Sequence, residues 1–273
     1  MNNFKQQCVV LRSQDHTLPE IVKITGRPKT SVYFHIRDIP LSTQKLRMIQ
    51  DASRTRIIRM SENRKGKSSR SFKEFSTWNT NMVLLISHFL FDGEINTHGC
   101  IYNNRSTSLI KRVETIMKEI YDFEPTRYCN KSTGVLRISY FNVALAAHIK
   151  KKSQELFSNV NTFPKHLKRE FLRAFFDDEG CMNFNNRSRR VRGYQKDTSV
   201  LETIKILLLD FDIGSSIQKP NEVVIVGKEN LQKFQKEINF SPGVCINGNR
   251  SNSIWKQNLE KREILERAIA SYQ

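Results

Sequence analysis

The chain has 273 residues, enough for two or three domains that each bury a core, and 45 Lys and Arg against 27 Asp and Glu leave a formal charge of +18. That surplus points to a polyanionic partner, nucleic acid first, and no apolar run approaches the ~18 residues of a membrane-spanning helix. Five scattered cysteines (Cys8, Cys100, Cys129, Cys181, Cys245) without a CxxC pair argue against zinc and for reduced thiols.

The first forty residues read as three short helices. Phe4 to Arg12 is the first. Thr17 caps the second, with Leu18, Pro19 and Glu20 in its opening turn, Ile21, Val22 and Ile24 as its core face, and Gly26-Arg27-Pro28 as its end. The third, Lys29 to Arg37, spaces Val32 and Ile36 for burial. Helix, glycine turn and basic helix form the helix-turn-helix pattern, and residues 18–37 resemble the DNA-binding modules of that type in prokaryotes. The resemblance implies that Lys29, Thr30, Ser31, Tyr33 and His35 face a major groove and Arg37 a phosphate. The plainer alternative is a packing module, with Tyr33 and His35 partly in its core.

Residues 41–77 are a basic connector. Helical spacing runs over 42–60 (Leu46, Ile49, Ile57, Ile58), and Ser61 to Ser71 reads as a flexible linker.

From Trp78 the elements come twice. The nearly all-apolar helix Leu84 to Phe91 ends in Asp92-Gly93. A strand-like run over Glu94–Tyr102 follows, then an amphipathic helix over Ser106–Phe123, strands at Tyr128-Cys129 and Val135–Phe141, and a helix over Asn142–Phe157. Phe171 to Phe176 starts the second round and ends in Asp177-Asp178-Glu179-Gly180. Next come a strand from Cys181 to Asn186, a basic hairpin through Gln195, a helix over Thr198–Phe211, strands at Ser215–Gln218 and Val223–Val226, and a helix over Lys228–Ile238. A glycine at such an end suits a helix C-cap at positive φ. A carboxylate there opposes the helix dipole unless a cation offsets it. An internal repeat of about 87 residues suggests a pseudo-twofold pair rather than a solenoid. The two motif helices then cross at the small residues Ser87 and Ala174.

Leu85-Ile-Ser-His-Phe-Leu-Phe-Asp-Gly93 and Leu172-Arg-Ala-Phe-Phe-Asp-Asp-Glu-Gly180 resemble the paired motifs of LAGLIDADG homing endonucleases, in their single-chain prokaryotic and archaeal form. The resemblance implies an α+β fold, a pseudo-twofold pair of αββαββα repeats at 78–160 and 161–240. These follow the helix-turn-helix domain (1–40) and the connector (41–77), and precede a C-terminal extension (241–273) whose helix, Ile254 to Tyr272, has no assigned role. It implies site-specific, metal-dependent hydrolysis of double-stranded DNA, as in intron homing, with Asp92 and Glu179 catalytic. Mg²⁺ or Mn²⁺ would be held by both carboxylates and by the carbonyls of Phe91 and Asp178. Lys228 is the candidate basic residue of the second repeat. The first, at Ser139-Tyr-Phe-Asn142, offers no lysine, which leaves nicking or binding without cutting open. The same resemblance sets two strand saddles in the major groove: Asn96 and His98 from the first, and Asn183, Asn185, Arg187, Arg190, Arg192, Tyr194 and Lys196 from the second. A transcriptional regulator that keeps the fold without cutting is the alternative. Either way a monomer with internal pseudo-symmetry is expected, with no protein partner and no membrane, in the cytoplasm with the nucleoid.

Overall fold

The structure is a computed structural model and describes residues 3–64, 72, 74, 75, 77–185, 188–248 and 255–272. It divides into two compact units, residues 1–68 and 69–273.

In the smaller unit, α1 (Asn3–Ser13), α2 (Leu18–Thr25) and α3 (Lys29–Ile36) close on Cys8, Ile21, Val32 and Ile36. The Thr17 N–H donates to the Glu20 carboxylate at 2.6 Å, a reciprocal cap at the start of α2, and Gly26 ends the helix at φ 64°, where a side chain would be strained. The helical spacing after residue 42 becomes α4 (Thr43–Arg64), exposed from Ser42 to Met60 apart from partial cover at Lys45. Residues 61–64, expected as linker, are helical, and 65–71 lie outside the described residues.

The larger unit carries the duplication. Its first half runs α5 (Thr80–Phe91), β1 (Gly93–Ile95), β2 (Cys100–Asn104), α6 (Thr107–Tyr121), β3 (Thr126–Asn130), β4 (Val135–Tyr140) and α7 (Val143–Asn159). Its second half runs α8 (Lys165–Asp178), β5 (Gly180–Asn185), β6 (Ser188–Tyr194), α9 (Thr198–Leu209), β7 (Ser216–Gln218), β8 (Glu222–Val226) and α10 (Lys228–Glu237). Each half makes one antiparallel sheet with the same order, β1-β2-β4-β3 and β5-β6-β8-β7. Local chemistry starts the helices: Asn79, Ser106, Asn142 and Asp197 each accept a backbone N–H in the first turn of α5, α6, α7 and α9.

Helix α5 is buried from Met82 to Phe89, as a helix apolar on nearly all sides must be, and it packs along α8. Ser87 and Ala174 are fully buried. Ser87 satisfies its hydroxyl by donating to the Val83 carbonyl.

Three sequence expectations change. Gly93 and Gly180 do not adopt positive φ; the caps are Asp92 and Glu179, at φ −110° and −101°. Glycine follows them because a Cβ would stand 2.3 Å from the Phe89 carbonyl oxygen, or 2.4 Å from that of Phe176. The run Glu94–Tyr102 is two short strands around a turn. In the extension, helix α11 (Lys261–Ala270) starts later than expected, because residues 245 and 260 pair as a β-bridge first. Ile254 lies outside the described residues.

Candidate active site and nucleic-acid interface

Asp92 and Glu179 cap the C-terminal ends of two adjacent buried helices. Asp92 accepts from the Asn104 side-chain amide at 2.8 Å. Between the helix ends sits the Asp178 carboxylate, which has no exposed surface. His88 Nδ1 lies 2.8 Å from it, the Tyr102 hydroxyl donates to it at 2.6 Å, and Asn104 reaches it at 3.4 Å. Asp177 is buried too, accepting from the Ser241 N–H at 2.8 Å and from the Arg112 guanidinium at 3.3 Å. Lys261 closes the group: its Nζ donates to the carbonyls of Phe176 at 3.3 Å and Asp177 at 2.7 Å.

Burial dominates the electrostatics of these acids. Burial, then the charges of Asp178 and Glu179, push the Asp92 carboxyl up to about 7. Burial and Asp178 push Glu179 up to about 7 as well, with Lys261 opposing. Burial raises Asp177 despite its Ser241 hydrogen bonds. Burial lowers His88, but the charge and hydrogen bond of Asp178 and the charge of Asp177 outweigh it, so the imidazole is raised. Burial lowers the Lys261 ammonium against the pull of Asp177.

Asp92, Asn104, Asp178, Asn183, Arg192 and Lys261 line one cleft of about 1100 Å³. Among the described residues no three His, Cys, Asp or Glu side chains form a ready metal cage, because Asp178 is turned inward to His88 and Tyr102. Two half-buried carboxylates that the protein leaves under-neutralised still fit a hard divalent cation. Mg²⁺ commonly takes one or two carboxylates and completes its shell with water and substrate phosphate oxygens. Asp92 and Glu179 are carboxylates of the kind that would supply that donor set.

The cationic strand face lies on the second sheet. Its register puts Asn183 opposite Arg190 and Cys181 opposite Arg192, alternating with buried Met182 and Val191. Asn185 and Tyr194 fall on the same side by alternation. Arg192 is already engaged by Glu222 at 3.0 Å. Lys196 lies beyond the end of β6, and Arg187 is outside the described residues. In the first sheet, Asn96 and His98 are in the hairpin turn rather than on a strand. The Asn96 side-chain oxygen accepts from the N–H groups of His98 at 2.9 Å and Gly99 at 3.1 Å, so it builds the turn. The corresponding face is formed by Glu94, Asn103, Tyr128 and Arg137, with Arg137 bonded to Asn103 at 3.0 Å and near Glu94 at 3.5 Å. In α3, Lys29, Thr30, Ser31 and Tyr33 are exposed, as are Phe34, at 66%, and Arg37 just past the helix end. His35 is half-buried with its ring edge-on to Phe4 and Phe34.

Lys228 is exposed at the start of α10 and donates to the Tyr272 carbonyl at 3.1 Å. The lysine that lines the cleft is Lys261, from a segment with no sequence signature. His88, a polar residue inside an apolar helix, was the one visible sign of the interior network.

Two antiparallel sheets, each following one of a pair of buried, acid-ended helices, define the LAGLIDADG fold, and residues 166–239 match the family described as a LAGLIDADG-like domain. Among solved structures, full-length DUF199/WhiA from Thermatoga maritima aligns with a TM-score of 0.50 at 15% identity, over 73% of this chain and 63% of that one. A variant of I-DmoI in complex with its target DNA in the presence of Mn aligns at 0.46 and 13%, over 58% and 93%. A probable translation initiation factor IF-2 of Methanocaldococcus jannaschii is 36% identical over 89 residues, 29% of this chain, and that of Pyrococcus horikoshii is 33% identical over 105 residues, 34% of it. The chain spans only 7% and 10% of those two proteins. Among the described residues no helix is long and apolar enough to cross a membrane.

Proposed function

We propose that the chain is a DNA-binding protein whose Asp92 and Glu179 carry out divalent-metal-dependent, site-specific hydrolysis of double-stranded DNA, in the manner of a homing endonuclease. One observation carries this reading: two acids at the paired ends of α5 and α8, both pushed up to about 7, with Asp92 lining the cleft and Glu179 set between Asp178 and Gly180, which line it too. Such carboxyls are costly in a fold that uses them only as helix ends. Their two carboxylates would hold Mg²⁺ or Mn²⁺, which when bound supplies an activated water and charge for the leaving oxygen. Asn104 orients Asp92, and Asn183, Asn185, Arg190 and Tyr194 present donors and acceptors to a groove. The α1–α3 unit adds a second DNA contact through Lys29, Thr30, Ser31, Tyr33 and Arg37. A monomer acting on nucleoid DNA fits the internal pairing of the two halves.

A second reading, DNA binding without cutting or with nicking only, is favoured by Lys228 being tied to Tyr272 and by the charge-balanced face of the first sheet. Incubation with genomic or randomised DNA and Mg²⁺ separates the two. Cuts that vanish in Asp92→Asn and Glu179→Gln support the nuclease; salt-sensitive binding with no cuts, unaltered by either substitution, would sink it.

A further inference from the structure

The C-terminal extension lies outside the two repeats, yet it reaches the acid pair through one side chain. Lys261 opens α11 and is buried, its ammonium on the carbonyls of Phe176 and Asp177, three and two residues before Glu179. Its own main chain is pinned: the Lys261 N–H donates to the Val244 carbonyl at 2.8 Å, and the Gly243 N–H donates to the Glu260 carboxylate at 3.1 Å. Ser241 of the same extension donates its N–H to Asp177. The last turn of a helix exposes carbonyls that carry partial negative charge, and here three consecutive acids add to it. A buried ammonium on those carbonyls answers both needs. Helix α5 has no equivalent: among the described residues no side chain donates to the Phe89 or Leu90 carbonyl, and Leu90 stands where the second motif has Asp177.

We propose that Lys261 is a positioning residue for Glu179, clamping the last turn of α8, so that the extension is a working part of the second half of the acid pair alone. The turn that ends in Glu179 is then held by an ammonium from the extension, and the Asp92 carboxylate by the Asn104 amide. The functional consequence rests on the two acids being the cutting pair: loss of the clamp slows scission at the phosphate served by Glu179 and spares the other.

The test uses the full chain as wild type, Lys261→Met and Lys261→Arg, read by amide hydrogen exchange and by cleavage of a target duplex labelled on each strand. In Lys261→Met the Glu179 amide, bonded to the Phe175 carbonyl, exchanges about tenfold faster or more, as loss of a charged hydrogen bond predicts, while the Asp92 amide, bonded to His88, is unchanged. Lys261→Arg, which keeps charge and donors, restores protection at least in part. One strand is cut more slowly in Lys261→Met and the other at the wild-type rate. Equal exchange at both amides, or equal slowing of both strands, overturns the proposal. If wild type cuts neither strand, the nuclease reading has failed and the exchange comparison still decides the clamp. If Lys261→Met does not fold, exchange at Glu179 in Lys261→Gln, which keeps a donor without the charge, decides it by the same criterion.

Discussion

His88 and Asp178 meet across the pseudo-twofold axis at 2.8 Å, and Phe175 and Phe91 occupy the mirrored positions with ring centroids 5.2 Å apart. Each contact joins the fourth residue of one motif to the seventh of the other. One side of the axis is an ion pair; the other is two aromatic rings. The strands compensate in size. Tyr102 fills the space beside His88, whereas its counterpart in the second sheet is Gly193, where a Cβ would stand 2.3 Å from the Phe175 ring.

His88→Phe leaves the Asp178 charge buried without its cation, at a cost of about 3–5 kcal/mol. Adding Asp178→Phe copies the aromatic side of the axis. It removes the orphaned charge and recovers part of that loss, the remainder coming from the Tyr102 hydroxyl, which loses its acceptor, and from the Tyr102 ring, which stands where the second sheet keeps Gly193. Denaturant unfolding of the two single variants and the double variant measures the coupling.

The acid pair gives stability a defined pH dependence. Carboxyls whose folded value is raised to about 7 hold protons that the unfolded chain has already released, so stability falls as pH rises from the ordinary carboxylate range towards 7. His88, raised by Asp178, adds stability that is lost as pH climbs through its folded value. Asp92→Asn and Glu179→Gln are therefore expected to raise stability at about pH 8 by on the order of 1 kcal/mol each once solvent screening is allowed for, seen as a higher melting temperature there and not at about pH 4. Mg²⁺ raises the melting temperature of wild type at the higher pH only, and that of the double variant at neither. Calorimetry with and without Mg²⁺ checks both signs.

Gly93→Ala and Gly180→Ala drive a methyl group into a backbone carbonyl that cannot swing aside, and each costs about 1–3 kcal/mol. Gly134→Ala has open space around it and costs only the strain of its φ of 69°, about 1 kcal/mol. Thermal melts of the three variants separate crowding from backbone strain.

The duplication and the chain order of helices and strands were legible because each is written in neighbouring residues: an apolar period, and an acid and a glycine after it. The interior of the site was not. Lys261 reaches the Phe176 carbonyl from 85 residues away, and no local pattern distinguishes it from the other lysines of so basic a chain. The reason for Gly93 was misread for a related cause. A close approach between Cβ and a carbonyl four residues back leaves the same letter in the sequence as a positive φ. Asn96 looked like a base reader because Asn suits both that role and a turn, and backbone geometry chose the turn.

For the small unit, Lys29→Ala and Arg37→Ala are expected to weaken DNA binding at low salt and to lower the salt slope by about 1 each. His35→Ala removes a ring packed on Phe4 and Phe34, so unfolding of that unit registers the change. Fluorescence anisotropy over a salt series, alongside thermal melts, distinguishes the two effects.

The unlike sides of the α5–α8 axis make the halves recognise each other and reject themselves. Two copies of the first half would set His88 against Phe91, and two of the second would press Phe175 onto Asp178, burying a polar side chain against a phenyl ring without its partner in either case. A gene for either half alone would therefore not yield a working symmetric pair. With four unlike side chains at the axis, each half carries the complement that the other needs.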